Sequence, residues 1–143
     1  MEELYVKLLE LLGDIPELRY VDLDKGQLME ERPSIAYPCA LIVIDMPQAE
    51  DMGGGVQLCN LSFTVRIVDK ALGETHQIAP KAVINRSLKW LRLQQKVYEK
   101  LQGYGDENFY QFSRRGGKNE FIRTGLNSFA LHFETSYHDH SAS

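Results

Sequence analysis

A chain of 143 residues, 43% hydrophobic and 25% charged, with a formal net charge of -4, has the make-up of an ordinary globular protein. One domain is expected at this length, and a core of this size needs no metal or disulfide staple. The composition excludes collagen-like, mucin-like and wholly disordered classes. No apolar run reaches the ~18 residues of a membrane span, and Glu2 and Glu3 stand where a secretory signal carries base, so a cytoplasm is the expected compartment.

Leu4, Leu8, Leu11 and Leu12 recur at helical spacing from Glu2 to about Leu12, with acids in the first turn and Gly13 and Pro16 as stop signals. Leu18 to Leu23 alternates as a short strand near a sheet edge, ended by Asp24-Lys25-Gly26. After a loop through Glu30-Glu31-Arg32-Pro33, the run Cys39 to Ile44 reads as a central strand to about Asp45. Pro47, Glu50, Asp51 and Gly53-Gly54-Gly55 predict a mobile loop over 45–55. Cys59, Leu61, Phe63, Val65 and Ile67 then alternate with Leu58, Asn60, Ser62, Thr64 and Arg66, a strand with one covered and one largely polar face. It pairs with the preceding strand as a long-tipped antiparallel hairpin.

A second helix is predicted over Pro80 to Leu101, with Gly103 and Gly105 beyond it. Val83, Ile84, Leu88, Trp90, Leu91, Leu93, Val97, Tyr98 and Leu101 form its apolar arc, and Lys81, Lys89, Arg92, Lys96 and Lys100 the opposite basic one. Phe109 to Arg114 reads as a strand, Arg115-Gly116-Gly117-Lys118 as a turn with a weak continuation through Phe121-Ile122, and Phe129 to Tyr137 as a last one-sided strand. The fold class expected is α+β. One mixed, mostly antiparallel sheet carries both helices on one face, in the order α-β-β-β-α-β-β. A single domain spans 1–137, followed by a polar tail at 138–143.

The chemistry-bearing residues make no recognisable catalytic set. Gly53-Gly54-Gly55 precedes a strand, not a helix, so it cannot seat phosphate on a helix N-terminus. Cys39 and Cys59 read as buried thiols, and pairing either with His76 or His132 as a nucleophile is disfavoured. His138-Asp139-His140 offers alternating ligand types but lies in a tail with nothing to orient it. No catalytic residue, metal or cofactor is therefore assigned. The basic cluster Arg114, Arg115, Lys118, with Tyr110 and Phe112 before it, gives the alternative of nucleic-acid contact. Charge is also uneven. Residues 1–51 hold twelve acids against four bases, and residues 52–143 eight acids against twelve bases. This suggests head-to-tail self-complementarity, the acidic part of one copy meeting the basic helix face of the next.

The layout resembles the small tail-terminator and minor tail-completion proteins of long-tailed bacteriophages and prophages. The likeness runs from Glu2 to Tyr137. It rests on the short N-terminal helix, the Tyr37-Pro38 lead into Cys39–Ile44, the alternating strand Cys59 to Val68 ending at Asp69, the amphipathic helix closing on Leu101-Gln102-Gly103, and the final strand Phe129 to Thr135. The resemblance implies a non-enzymatic structural role. The chain would form a homo-oligomeric ring, commonly of six, on the end of the tail tube and present a face to the neck proteins. It would reside in the bacterial cytoplasm during assembly and in the virion tail afterwards. The candidate interface residues are Lys89, Arg92 and Lys96, Gly53, Gly54 and Gly55, and Arg114, Arg115 and Lys118.

Overall fold

A computed structural model of the chain describes residues 1–71 and 80–143. Its elements are α1 (Glu2–Gly13), β1 (Tyr20–Leu23), a 3-10 turn (Gln27–Met29), β2 (Cys39–Gly53), β3 (Val56–Lys70), α2 (Pro80–Leu101), β4 (Ser113–Glu120) and β5 (Leu126–Asp139). The five strands form one sheet in the order β1-β2-β3-β5-β4. β1 is parallel to β2, and the other neighbouring pairs are antiparallel. This is the α+β architecture and the order of elements expected from the periodicities.

The alternation in β3 decides where the core lies. Leu61, Phe63, Val65 and Ile67 point to one face, where they meet Ala40 and Ile42 of β2 and Leu131 and Phe133 of β5. Leu4, Leu8 and Leu12 of α1 and Leu93, Val97 and Leu101 of α2 cover the same face. Phe63 sits at the centre, stacked on Phe133 at 5.2 Å and edge-on to Phe112 at 5.0 Å between ring centroids. The opposite face is polar along Asn60, Ser62 and Thr64. At one end it carries a second cluster of Leu28, Cys39, Leu41 and Val68, flanked by Ile35 and Tyr37. Arg123 fixes the loop above that cluster by donating to the carbonyls of Leu28 and Glu31, each at 3.1 Å.

Several expected boundaries move. Residues 45–55 are not a loop: β2 runs unbroken to Gly53, and only Gly54-Gly55 turn the chain. Both turn residues have positive φ, 63° and 80°, which a two-residue hairpin with the right twist demands and glycine adopts without strain. Pro47, the residue that argued for a loop, sits where the register shifts between Asp45 and Gln48, so its missing N–H falls where the ladder is already irregular. Arg115-Gly116-Gly117-Lys118 is likewise not a turn but lies inside β4, with a bulge between Arg114 and Gly116. The strand expected at Phe109–Arg114 begins only at Ser113, because Phe109 and Phe112 are drawn into the core from a connecting segment. Phe121-Ile122 does not continue it. β5 extends to Asp139, so His138 and Asp139 belong to the sheet and not to a tail, pairing with Leu58 and Gln57.

Two carboxylates order the segments beside the helices, Asp22 by joining α1 to β1 and Asp106 by bracing the turn after α2. Burial pushes the Asp22 carboxyl up, but hydrogen bonds donated by Tyr5 Oη (2.9 Å), Leu23 N (2.7 Å), Lys25 Nζ (3.2 Å) and Tyr20 Oη (3.1 Å) outweigh it and hold the group below the usual carboxylate range. At Asp106 burial likewise pushes the carboxyl up, and hydrogen bonds from Tyr104 Oη (2.7 Å), Asn108 N (2.8 Å) and Phe109 N (3.0 Å) outweigh it, so that group too is held below the usual range. A carboxyl whose folded pKa is depressed adds stability above its unfolded value, about 3.9, and that contribution disappears as pH falls through the lower folded value. The urea midpoint should therefore drop between pH 6 and pH 3, and a D22N/D106N variant should show a flatter profile over the same interval. An unchanged slope in the variant would mean that other carboxyls dominate acid unfolding.

Candidate functional site

Helix α2 behaves as two halves. Leu93, Val97 and Leu101, four residues apart, are buried against the sheet and α1. Ahead of them Trp90 packs half-buried against the core, and the other apolar residues of the first three turns stand clear of it. Val83, Ile84, Leu88 and Leu91, all expected in the core-facing arc, are exposed, Ile84 by 58% and Leu91 by 56%. The spacing that announced a buried face is real, but nothing among the described residues covers its N-terminal half.

Grooves open on both flanks of this raised half. One, of about 510 Å³, lies between α2 and the β4–β5 edge, lined by Leu91, Gln94, Gln95, Arg114, Gly116, Gly117, Phe129 and Leu131. Gly117 is required there, since a Cβ would stand 2.7 Å from the Phe129 ring. The other, about 1630 Å³ as bounded by the described residues, runs toward β1 and includes Arg19, Tyr37, Trp90, Lys89 and Arg92.

The basic residues singled out in the sequence fall in different settings. Lys89 and Arg92 border the larger groove. Lys96 also borders it but is bound to Glu17 at 3.0 Å, and Lys100 to Asp14 at 3.0 Å, so the end of the basic arc faces α1 and its following loop and is engaged within the chain. Arg114 lays its guanidinium 3.7 Å above the Tyr98 ring, and its backbone N–H donates to Gln102 Oε1 at 2.8 Å. Arg115 pairs with Glu134 at 2.9 Å. Lys118 has no ionic partner among the described residues. Two of the three bases that suggested nucleic-acid contact are thus held against the protein's own surface. Gly53, Gly54 and Gly55 form the hairpin tip, and the end of the chain packs on it: a Cβ on Gly55 would stand 2.4 Å from the Ala142 carbonyl oxygen.

Cys39 and Cys59 are both free and buried. They project from opposite faces of the sheet, as their register partners Val68 and Tyr137 show, so they cannot pair. Burial, with smaller contributions from Asp69 and Asp24, pushes the Cys39 thiol up to about 12, far from a nucleophile's range. His132 bonds Thr64 Oγ1 through Nδ1 at 2.8 Å, two strands across and four residues along from Cys39. His76 lies outside the described residues. Among the described residues no three His, Cys, Asp or Glu side chains gather as metal ligands, and no helix is long and apolar enough to cross a membrane.

Sequence reasoning passed over one polar constellation. Arg66, on the polar face of β3, donates from Nε and Nη2 to both oxygens of Glu120 (3.1 and 3.2 Å) and from Nη1 to Asp24. It ties β3 to the end of β4 and to the turn after β1, across strands that are not its neighbours. The sequence signal was an arginine near the end of a strand flanked by apolar residues; its two partners lie 42 and 54 residues away and carry no local mark. The chain matches no protein-family model and no curated protein.

Proposed function

We propose that the chain is a non-enzymatic structural protein of a long-tailed phage or prophage, of the tail-terminator or tail-completion kind, which assembles into a ring on the tail tube and joins it to the neck. The observation that carries the assembly reading is the apolar stripe Val83, Ile84, Leu88 and Leu91 on the raised half of α2. A contiguous apolar stripe beside open grooves is the surface that association buries. The occupant is a neighbouring copy of the chain, because the stripe continues through Leu91 into the cleft beside β4, at the sheet's own edge. Order of elements, the absence of any recognised catalytic motif in the sequence and the uneven charge support the tail-protein identity.

Size-exclusion chromatography with light scattering over a concentration range tests the reading. A ring, or a species that grows with concentration, is the expected result; a monomer throughout overturns it. Ile84→Lys combined with Leu91→Lys should leave the urea midpoint close to that of the parent, since both side chains are already in water, while weakening association about tenfold or more. Equal association in parent and variant would remove the stripe from the interface.

A further inference from the structure

The sheet has two unpaired edges of opposite character. β1 covers β2 only from Cys39 to Ile42, so β2 from Val43 to Gly53 has no outer neighbour among the described residues. That edge carries Asp45, Glu50 and Asp51, no base, and the exposed side chains of Met46 and Met52. At the far side β4 is the last strand among the described residues, with Arg114, Arg115 and Lys118 along it and Phe121, fully exposed, just past its end. Lys118 has no ionic partner there, Arg114 stacks on Tyr98 without a carboxylate, and the Arg115–Glu134 pair is more than half exposed on both sides, a weak contact that a second carboxylate can share. Its one acid, Glu120, is bound by Arg66. Free edges are ordinarily blunted by charge, proline and bulges, and Pro47 with its register shift and the Arg114/Gly116 bulge interrupt these two; what sets them apart is that their charges are of opposite sign and that both carry unburied apolar side chains.

Strand direction supplies the geometry. β2, β3, β5 and β4 alternate in direction, so β4 runs opposite to β2. Repeating the subunit with the sheet continued therefore sets β4 beside the next copy's β2 in the same antiparallel sense as every pair among these four strands. In that sense, bringing Arg114 and Arg115 beside Glu50 and Asp51 also carries Phe121 toward Met46. We propose that the Val43–Gly53 edge of one copy adds antiparallel to the β4 edge of the next, continuing the sheet head to tail from subunit to subunit. The two patches are different surfaces, so the contact is heterologous and closes into a ring or runs on as a filament. The cleft between α2 and β4 adjoins the same edge, so a copy added there lies against Leu91 as well. This inference rests on the assembly reading and specifies how it is achieved.

Gln48 and Lys118 project from the same, polar face of the sheet, as their partners Asn60 and Ala130 show, and both native cysteines are buried, so introduced thiols report cleanly. Q48C and K118C are prepared separately, checked for an unchanged urea midpoint, and treated with a short bismaleimide. A mixture of the two should give a cross-linked dimer that neither forms alone, and the double variant a ladder of multiples. Glu50→Lys with Asp51→Lys in the Q48C chain should cut the yield about tenfold, two lost charge pairs at an exposed site. Self-linking of Q48C alone or of K118C alone, or no link in a sample that light scattering shows to be oligomeric, overturns edge pairing and leaves assembly through another surface. A monomer by light scattering with no link overturns both.

Discussion

Replacing Phe63 by alanine should lower the free energy of unfolding by about 3–5 kcal/mol, a large share of the ~5–15 kcal/mol that holds a domain of this size together. Phe63 is 1% exposed. Its ring is stacked between the strands on Phe133, touched edge-on by Phe112, and roofed by both helices. The strands on either side of β3 are themselves paired along most of their length, so the sheet cannot close over the missing ring. Aromatic contacts of this geometry add to the area term, and both ring partners lose them together. Urea denaturation with linear extrapolation measures the effect. A loss below about 1 kcal/mol would mean that the β3 face carrying Phe63 is not the core face.

That face was legible in the sequence because period-two alternation over ten residues has one physical meaning, a strand covered on one side. The same reasoning went astray where a local rule met a tertiary circumstance. Pro47 and three glycines signal a loop, yet the ribbon accommodates Pro47 at a register shift and confines the glycines, all three with positive φ, to its tip. Gly116 and Gly117 signal a turn, yet both lie in β4, where Gly117 leaves room for the Phe129 ring beneath the strand and Gly116 follows the bulge. In α2 the apolar spacing was read correctly but its use was not: periodicity names the side of a helix that avoids water, not whether the same chain or another covers it. Leu93 and Leu91 are equally apolar, and only the placement of the sheet separates the buried one from the exposed one. The candidate interface bases show the same limit. Nothing near Lys96 or Arg115 in sequence foretells Glu17 or Glu134, so their charge looked available when each is engaged at home.

The partners of Arg66 were equally invisible, and its substitution gives the second large effect. Arg66→Met keeps the apolar stem of the side chain and removes the guanidinium with its charge. It leaves Asp24 and Glu120, 16% and 26% exposed, without the guanidinium that now joins them. Removing one member of a buried ion network strands the others, which costs about 3–5 kcal/mol when they are fully dry; with this much solvent contact about 2–3 kcal/mol is expected. Burial of the guanidinium works against its charge, but Glu120 first and Asp24 second more than compensate, so Arg66 is held in its charged form more firmly than a free arginine. The loss should be largely recovered when the acids are neutralised as well, because Asp24→Asn and Glu120→Gln no longer require a counter-charge. A triple variant nearly as stable as the parent, beside a single variant well below it, identifies stranded carboxylates as the cause. A single variant within about 0.5 kcal/mol of the parent would place the triad among solvated surface pairs. In that case the β4–β5 ladder alone holds the end of β4 in the parent as well, and amide exchange along that strand should be the same in parent and variants.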